Sequence, residues 1–123
     1  MKKLLCSIAI ALSVLTIACK NETTTPSIVG FWTGTYTSAT ISNFFSVSFN
    51  SDGTARAYSN NSDTTIADRA SGTYSVGVDS VRMIFGSTST RFSGKLNSNS
   101  NQMDGLFRSS TSSAVYGTFS ISR

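Results

Sequence analysis

Few side chains in this 123-residue sequence could do covalent or acid–base chemistry at neutral pH. There is no histidine, and the only thiols are Cys6 and Cys19. The commonest general base and metal ligand is therefore missing. The acidic residues are Glu22, Asp52, Asp63, Asp68, Asp79 and Asp104. They are spread along the chain, never at the spacing of a metal-binding loop, and Asp52 and Asp79 sit in turn-forming contexts. Serines are plentiful, but a serine nucleophile needs a base. The one close pairing is Ser93 with Lys95, on the outward phase of a strand, where the lysine is expected to be wet, whereas a Ser-Lys dyad needs a desolvated one. Neither Gly-x-Ser-x-Gly nor a phosphate-binding glycine loop occurs. The inventory predicts a protein that is not an enzyme and uses no cofactor or metal.

One cysteine does carry a chemical expectation. Lys2 and Lys3 precede an apolar run from Leu4 to Ala18, which ends Leu15-Thr16-Ile17-Ala18-Cys19. A basic start, a short apolar stretch and a small residue at the end are the marks of a secretory signal peptide. The junction resembles the lipobox of bacterial lipoproteins, with Leu15 one place earlier than the family prefers and Thr16 in its stead. The resemblance implies cleavage before Cys19, acylation of its thiol, and a mature protein held to the membrane by that lipid. Residues 1–18 then form the leader, with its helix, and 19–27 a flexible Thr-rich tether that contains the only proline, Pro26. The apolar run is shorter than the ~20 residues of a spanning helix. Lys20-Asn21-Glu22 lacks the aspartate that retains enterobacterial lipoproteins at the inner membrane, which implies an outer-membrane location, facing the periplasm or the cell surface.

Composition narrows the partners. Taking away Lys2 and Lys3 lowers the formal charge from +4 to +2. The remaining basic residues are scattered, with no stripe for a nucleic acid to follow. No cysteine lies beyond Cys19, so the mature domain must hold together by packing and strand pairing, without a disulfide.

From Ile28 to Arg123 the sequence reads as strands and turns, one small domain over 28–123. Apolar residues alternate with polar ones at period two, and no window keeps a helical period. The first strand places Ile28, Gly30, Trp32, Gly34 and Tyr36 on one face. The second places Phe45, Val47 and Phe49 there and ends in the hairpin signal Asn50-Ser51-Asp52-Gly53. The third is ambiguous, with either Ala55 and Ala57 or Arg56 and Tyr58 inward. Later strands carry Gly72, Tyr74 and Val76; Val81, Met83 and Phe85; Phe92, Gly94 and Leu96; Met103, Gly105 and Phe107; and Val115, Gly117, Phe119 and Ile121. Short turns between them predict antiparallel neighbours, and the expected fold is all-β: a small up-and-down antiparallel barrel of about eight strands. The outward phase is mostly serine and threonine, interrupted by Phe31, Phe44, Tyr58, Ile84, Leu106 and Tyr116. Such a coat suits a barrel in water, since a membrane-spanning one must be apolar outside.

Six glycines share the inward face with the large residues, each followed two places later by another apolar side chain: Gly30, Gly34, Gly72, Gly94, Gly105 and Gly117. Inward glycines either leave room for a ligand or allow strands to bend and approach while aromatics cover the gaps. Ile28-Val29-Gly30-Phe31-Trp32, together with Gly72-Thr73-Tyr74 and Gly117-Thr118-Phe119, resembles the lipocalin superfamily and its short bacterial lipoprotein members. The resemblance implies a lipocalin-like barrel, and it makes Arg123 the basic residue that packs across Trp32. It also implies a small apolar ligand, which Trp32, Tyr36, Phe45, Tyr74 and Phe107 would touch. The strands are shorter than in ligand-carrying lipocalins and the C-terminal helix is absent, so a barrel follows more firmly than a deep calyx. Trp32 itself is expected to be a buried anchor at the closed end. Two functions compete: a lipid-anchored binder of a small apolar molecule, and a protein-interaction lipoprotein, such as an envelope inhibitor or assembly accessory, using loops or an exposed aromatic face.

Overall fold

A computed structural model describes residues 24–58, 69–86, 90–109 and 111–123. The leader, Cys19 and the first part of the tether lie outside these residues. Eight strands follow one another: β1 Gly30–Ser38, β2 Ile41–Phe49, β3 Thr54–Tyr58, β4 Arg69–Val76, β5 Ser80–Phe85, β6 Thr90–Leu96, β7 Gln102–Arg108 and β8 Val115–Ser122. Each pairs antiparallel with the next, and β1 pairs with β8, closing an up-and-down barrel. Closure removes the free edges that would otherwise recruit another chain.

The inward phase is the one that the alternation predicts. Trp32, Val47, Val81 and Met83 have no exposed surface, and Phe49, Met103, Phe119 and Ile121 are buried with them. The third strand resolves in favour of Ala55 and Ala57, which are buried in the core, whereas Arg56 is exposed. Tyr58 is buried as well, but on the outer side, where its ring lies 6.1 Å from that of Phe31. The inward glycines are places of close approach. A side chain on Gly34 would fall on the Ser120 carbonyl oxygen, and one on Gly105 on that of Ser93. The ring of Phe119 lies over both Gly94 and Gly105, filling from a neighbouring strand the room their missing side chains leave.

The inward phase extends beyond β1 at one position, as the alternation has it, and fails at another. Ile28 precedes β1, yet it is buried beneath the barrel end. Gly30, at φ 128°, bends the chain there in a conformation that other residues rarely adopt. Val115, expected inward, is 54 % exposed. The β7–β8 register slips between Phe107, opposite Gly117, and Arg108, opposite Val115. That bulge inserts Tyr116 as an extra residue, and with a period of two a one-residue slip turns Val115 to the other face.

The β2–β3 hairpin shows how its turn residues work. The Asp52 carboxylate accepts from the Thr54 backbone N–H at 2.9 Å and its hydroxyl at 2.6 Å. The Thr54 hydroxyl and amide hold the Asp52 carboxyl below its ordinary 3.8. A depressed folded pKa gives stability that is complete above the unfolded value and is lost as pH falls through the folded one. Thr54→Val keeps the amide but removes the hydroxyl, so it should raise the Asp52 carboxyl part of the way towards 3.8 and reduce that acid-side loss, measurable by NMR titration of the side chain. An unchanged titration would show that the hydroxyl does not act on the carboxylate.

Candidate functional site

An up-and-down barrel has two ends, and the aromatic residues divide between them. The first end gathers the start of β1, the turns after β2, β4 and β6, and the C-terminus. Here Trp32 donates its indole N–H to the Ile28 carbonyl at 2.8 Å and meets Phe49 edge-on at 6.2 Å. Tyr74 packs against Phe49 at 4.9 Å, and its hydroxyl donates to the Asn50 carbonyl at 2.7 Å. Burial, and then the Asp52 charge, push the Tyr74 phenol above 10.0. Arg123 closes this end from outside. Its guanidinium stands 5.0 Å from the Trp32 ring centroid, while Nη2 donates to the Ser27 carbonyl at 3.0 Å and Nη1 to that of Val29 at 3.5 Å. Such a stack carries cation–π attraction as well as contact. This end is shut.

The opposite end holds Tyr36, Phe45 and Phe107, with Phe92 at their centre. Phe92 lies between Phe45 and Phe107 in a nearly parallel stack, at 5.0 and 5.3 Å. The stack crosses the lumen from β2 to β6 and β7. Phe119 meets Phe45 and Phe92 edge-on, and Tyr36 does the same to Phe45 and Phe107. The five aromatic residues expected to touch a ligand are thus not one site. Trp32 and Tyr74 belong to the shut end, Tyr36, Phe45 and Phe107 to the other.

Among the described residues, this second end also holds a recess of about 240 Å³ beside the stack. It is lined by Ala57, Ala70, Phe85, Gly86, Thr90 and Phe92. Ala57 and Ala70 are paired across β3 and β4, so two small side chains face Phe85 and Phe92 and leave room between. The recess is smaller than the ~300–1,000 Å³ of sites that enclose a drug-sized ligand. Sequence reasoning missed it because the gap depends on which residue of β4 faces Ala57, which only register reveals.

No protein-family model, curated protein or solved structure matches this chain. The functional reading accordingly rests on the chain's own residues. Lys95, the partner considered for Ser93, is largely exposed and pairs with Asp79 at 3.5 Å, so it lacks the desolvation a base would need. Among the described residues no group of three or more histidine, cysteine, aspartate or glutamate side chains could hold a metal.

The outer surface carries exposed apolar side chains at Phe31, Phe44, Ile84, Val115 and Tyr116. Phe31 meets Tyr58 across β1–β3, and Phe44 lies on the same outer face, two residues along β2 from Ser46, the partner of Tyr58. Ile84 belongs to β5 and stands apart from this group.

Proposed function

We propose that this chain is a lipid-anchored, non-enzymatic protein of the bacterial cell envelope, held in the outer membrane through Cys19, that works through its surface by binding another envelope protein. The observation that carries the choice over a carrier role is the Phe45–Phe92–Phe107 stack, which occupies the lumen where a carried molecule would sit. The exposed Phe44 on β2 and Val115 and Tyr116 on β8 supply outer apolar side chains for a partner. The anchor rests on the leader and on the Ala18-Cys19 junction.

A second reading is favoured by the recess at the Phe92-centred end: a small neutral apolar molecule seated against Phe85 and Phe92. Native mass spectrometry of the protein purified from its own envelope separates the two. The expected spectrum shows a mature chain beginning at Cys19 with the mass of attached acyl groups, bound to a protein and to no small molecule. Cys19→Ser should abolish the acyl mass and release the chain from the membrane fraction. A wild-type chain without acyl groups would overturn the anchor, and a retained small molecule would replace the first reading by the second.

A further inference from the structure

The shut end of the barrel has features that a lid alone does not require. Val78 occupies the tip of the three-residue turn between β4 and β5, a position turns usually give to polar or glycine residues, and it is 59 % exposed. Val29 and Phe31, two residues apart on the outward phase at the start of β1, are exposed at the same end. In a closed order of eight strands, β1 and the β4–β5 turn lie on opposite sides of the barrel. The rim therefore carries apolar side chains on both flanks, among the polar hairpins Asn50–Gly53 and Asn97–Asn101.

The N-terminal chain arrives at this same end, and its direction is held there. Trp32 fixes the Ile28 carbonyl, and Arg123 fixes those of Ser27 and Val29 on either side. Arg123 is itself held through its backbone N–H, which donates to Asn101 at 3.0 Å. From Ser27 back to Cys19 there remain eight peptide units, at most ~30 Å even when fully extended. A lipid on Cys19 thus keeps this end within about a domain's width of the bilayer.

We propose that the shut end is a membrane-facing surface, with Val29, Phe31 and Val78 seated among lipid headgroups and the opposite, Phe92-centred end turned towards the aqueous side. This rests on the lipid-anchor reading. A barrel set this way holds its recess and the far half of its outer face away from the bilayer. Apolar side chains on a rim gain from burial at the headgroup boundary, and the anchor supplies the high local concentration that so small an area needs.

The test uses the full-length lipidated chain in phosphatidylcholine–phosphatidylethanolamine vesicles. Val78→Cys and Ile41→Cys place a single fluorophore at opposite ends, both at exposed sites (59 % and 64 %) that the core does not need. An acylated Cys19 leaves no other thiol in the mature chain to take the label. Nitroxide-bearing phospholipid should quench the probe at position 78 several-fold more than the probe at position 41, and aqueous iodide should show the reverse order. Equal quenching at the two ends, or stronger lipid quenching at position 41, overturns the orientation while leaving the anchor intact. A position-78 probe shielded from iodide yet untouched by the lipid quencher also overturns it, because a protein then covers that end. A wild-type chain that incorporates no fatty acid overturns the anchor reading and this one together.

Discussion

Trp32→Ala should leave the domain at the edge of unfolding. The side chain has no exposed surface, meets Phe49 edge-on, holds the Ile28 carbonyl at 2.8 Å and supports the Arg123 guanidinium at 5.0 Å. Truncating a buried Trp or Phe to alanine typically costs ~3–5 kcal/mol, against ~5–15 kcal/mol of total stability for a native domain. The substitution also strips the partner from a buried carbonyl and the platform from Arg123, so the upper part of that range is expected. Trp32→Phe should recover much of the packing but not the hydrogen bond, leaving an intermediate midpoint. Trp32 is the only tryptophan, so the transition has to be followed by far-UV circular dichroism in urea. An unchanged midpoint for Trp32→Ala would refute the anchor role and return Trp32 to the list of ligand-stacking residues.

The barrel was legible because its strands obey one rule with little interference. In β5 the burial alternates from Val81 to Met83 to Phe85 as the sequence does, and β6 repeats it with Phe92, Gly94 and Leu96. Alanine carries less information. It tolerates either face, so β3 could not be phased until Ala55 and Ala57 were seen against Gly72 and Ala70. Val115 misled because a bulge leaves no mark in local hydrophobicity, and one extra residue at Tyr116 reverses the phase. The division of the aromatics between two ends was within reach of the sequence. In an up-and-down meander the start of β1 and the end of β4 must lie together, which already places Trp32 with Tyr74 and away from Tyr36. The stack was not within reach. Phe92 and Phe107 are register partners on neighbouring β6 and β7, but Phe45 comes from distant β2, and its meeting with them across the lumen depends on tilt and stagger, which no single strand encodes.

The filled lumen makes a second strong demand on one inward glycine, and Gly105→Ala should expose it. A methyl group there would collide with the Ser93 carbonyl, lie 2.6 Å from the Gly94 Cα and lie 2.7 Å from the Phe119 ring. Two of these neighbours are backbone atoms of β6, paired in register with β7, and they cannot withdraw without opening the ladder. Overpacking of this kind costs ~1–3 kcal/mol and occasionally more. Gly94, directly opposite, is the control. A methyl group on Gly94 would press on Met103 and Phe119 side chains at 2.6–2.9 Å, and methionine, with three rotatable bonds, can move aside. Gly94→Ala should therefore lower the urea midpoint less than Gly105→Ala does, with the same slope for both. The two readings of the inward glycines differ in sign here. If Gly105 kept space for a ligand, alanine would fill that space and restrict the unfolded chain, raising stability by ~0.4–1 kcal/mol. A higher midpoint for Gly105→Ala would overturn the close-approach account and reopen the lumen to a bound molecule.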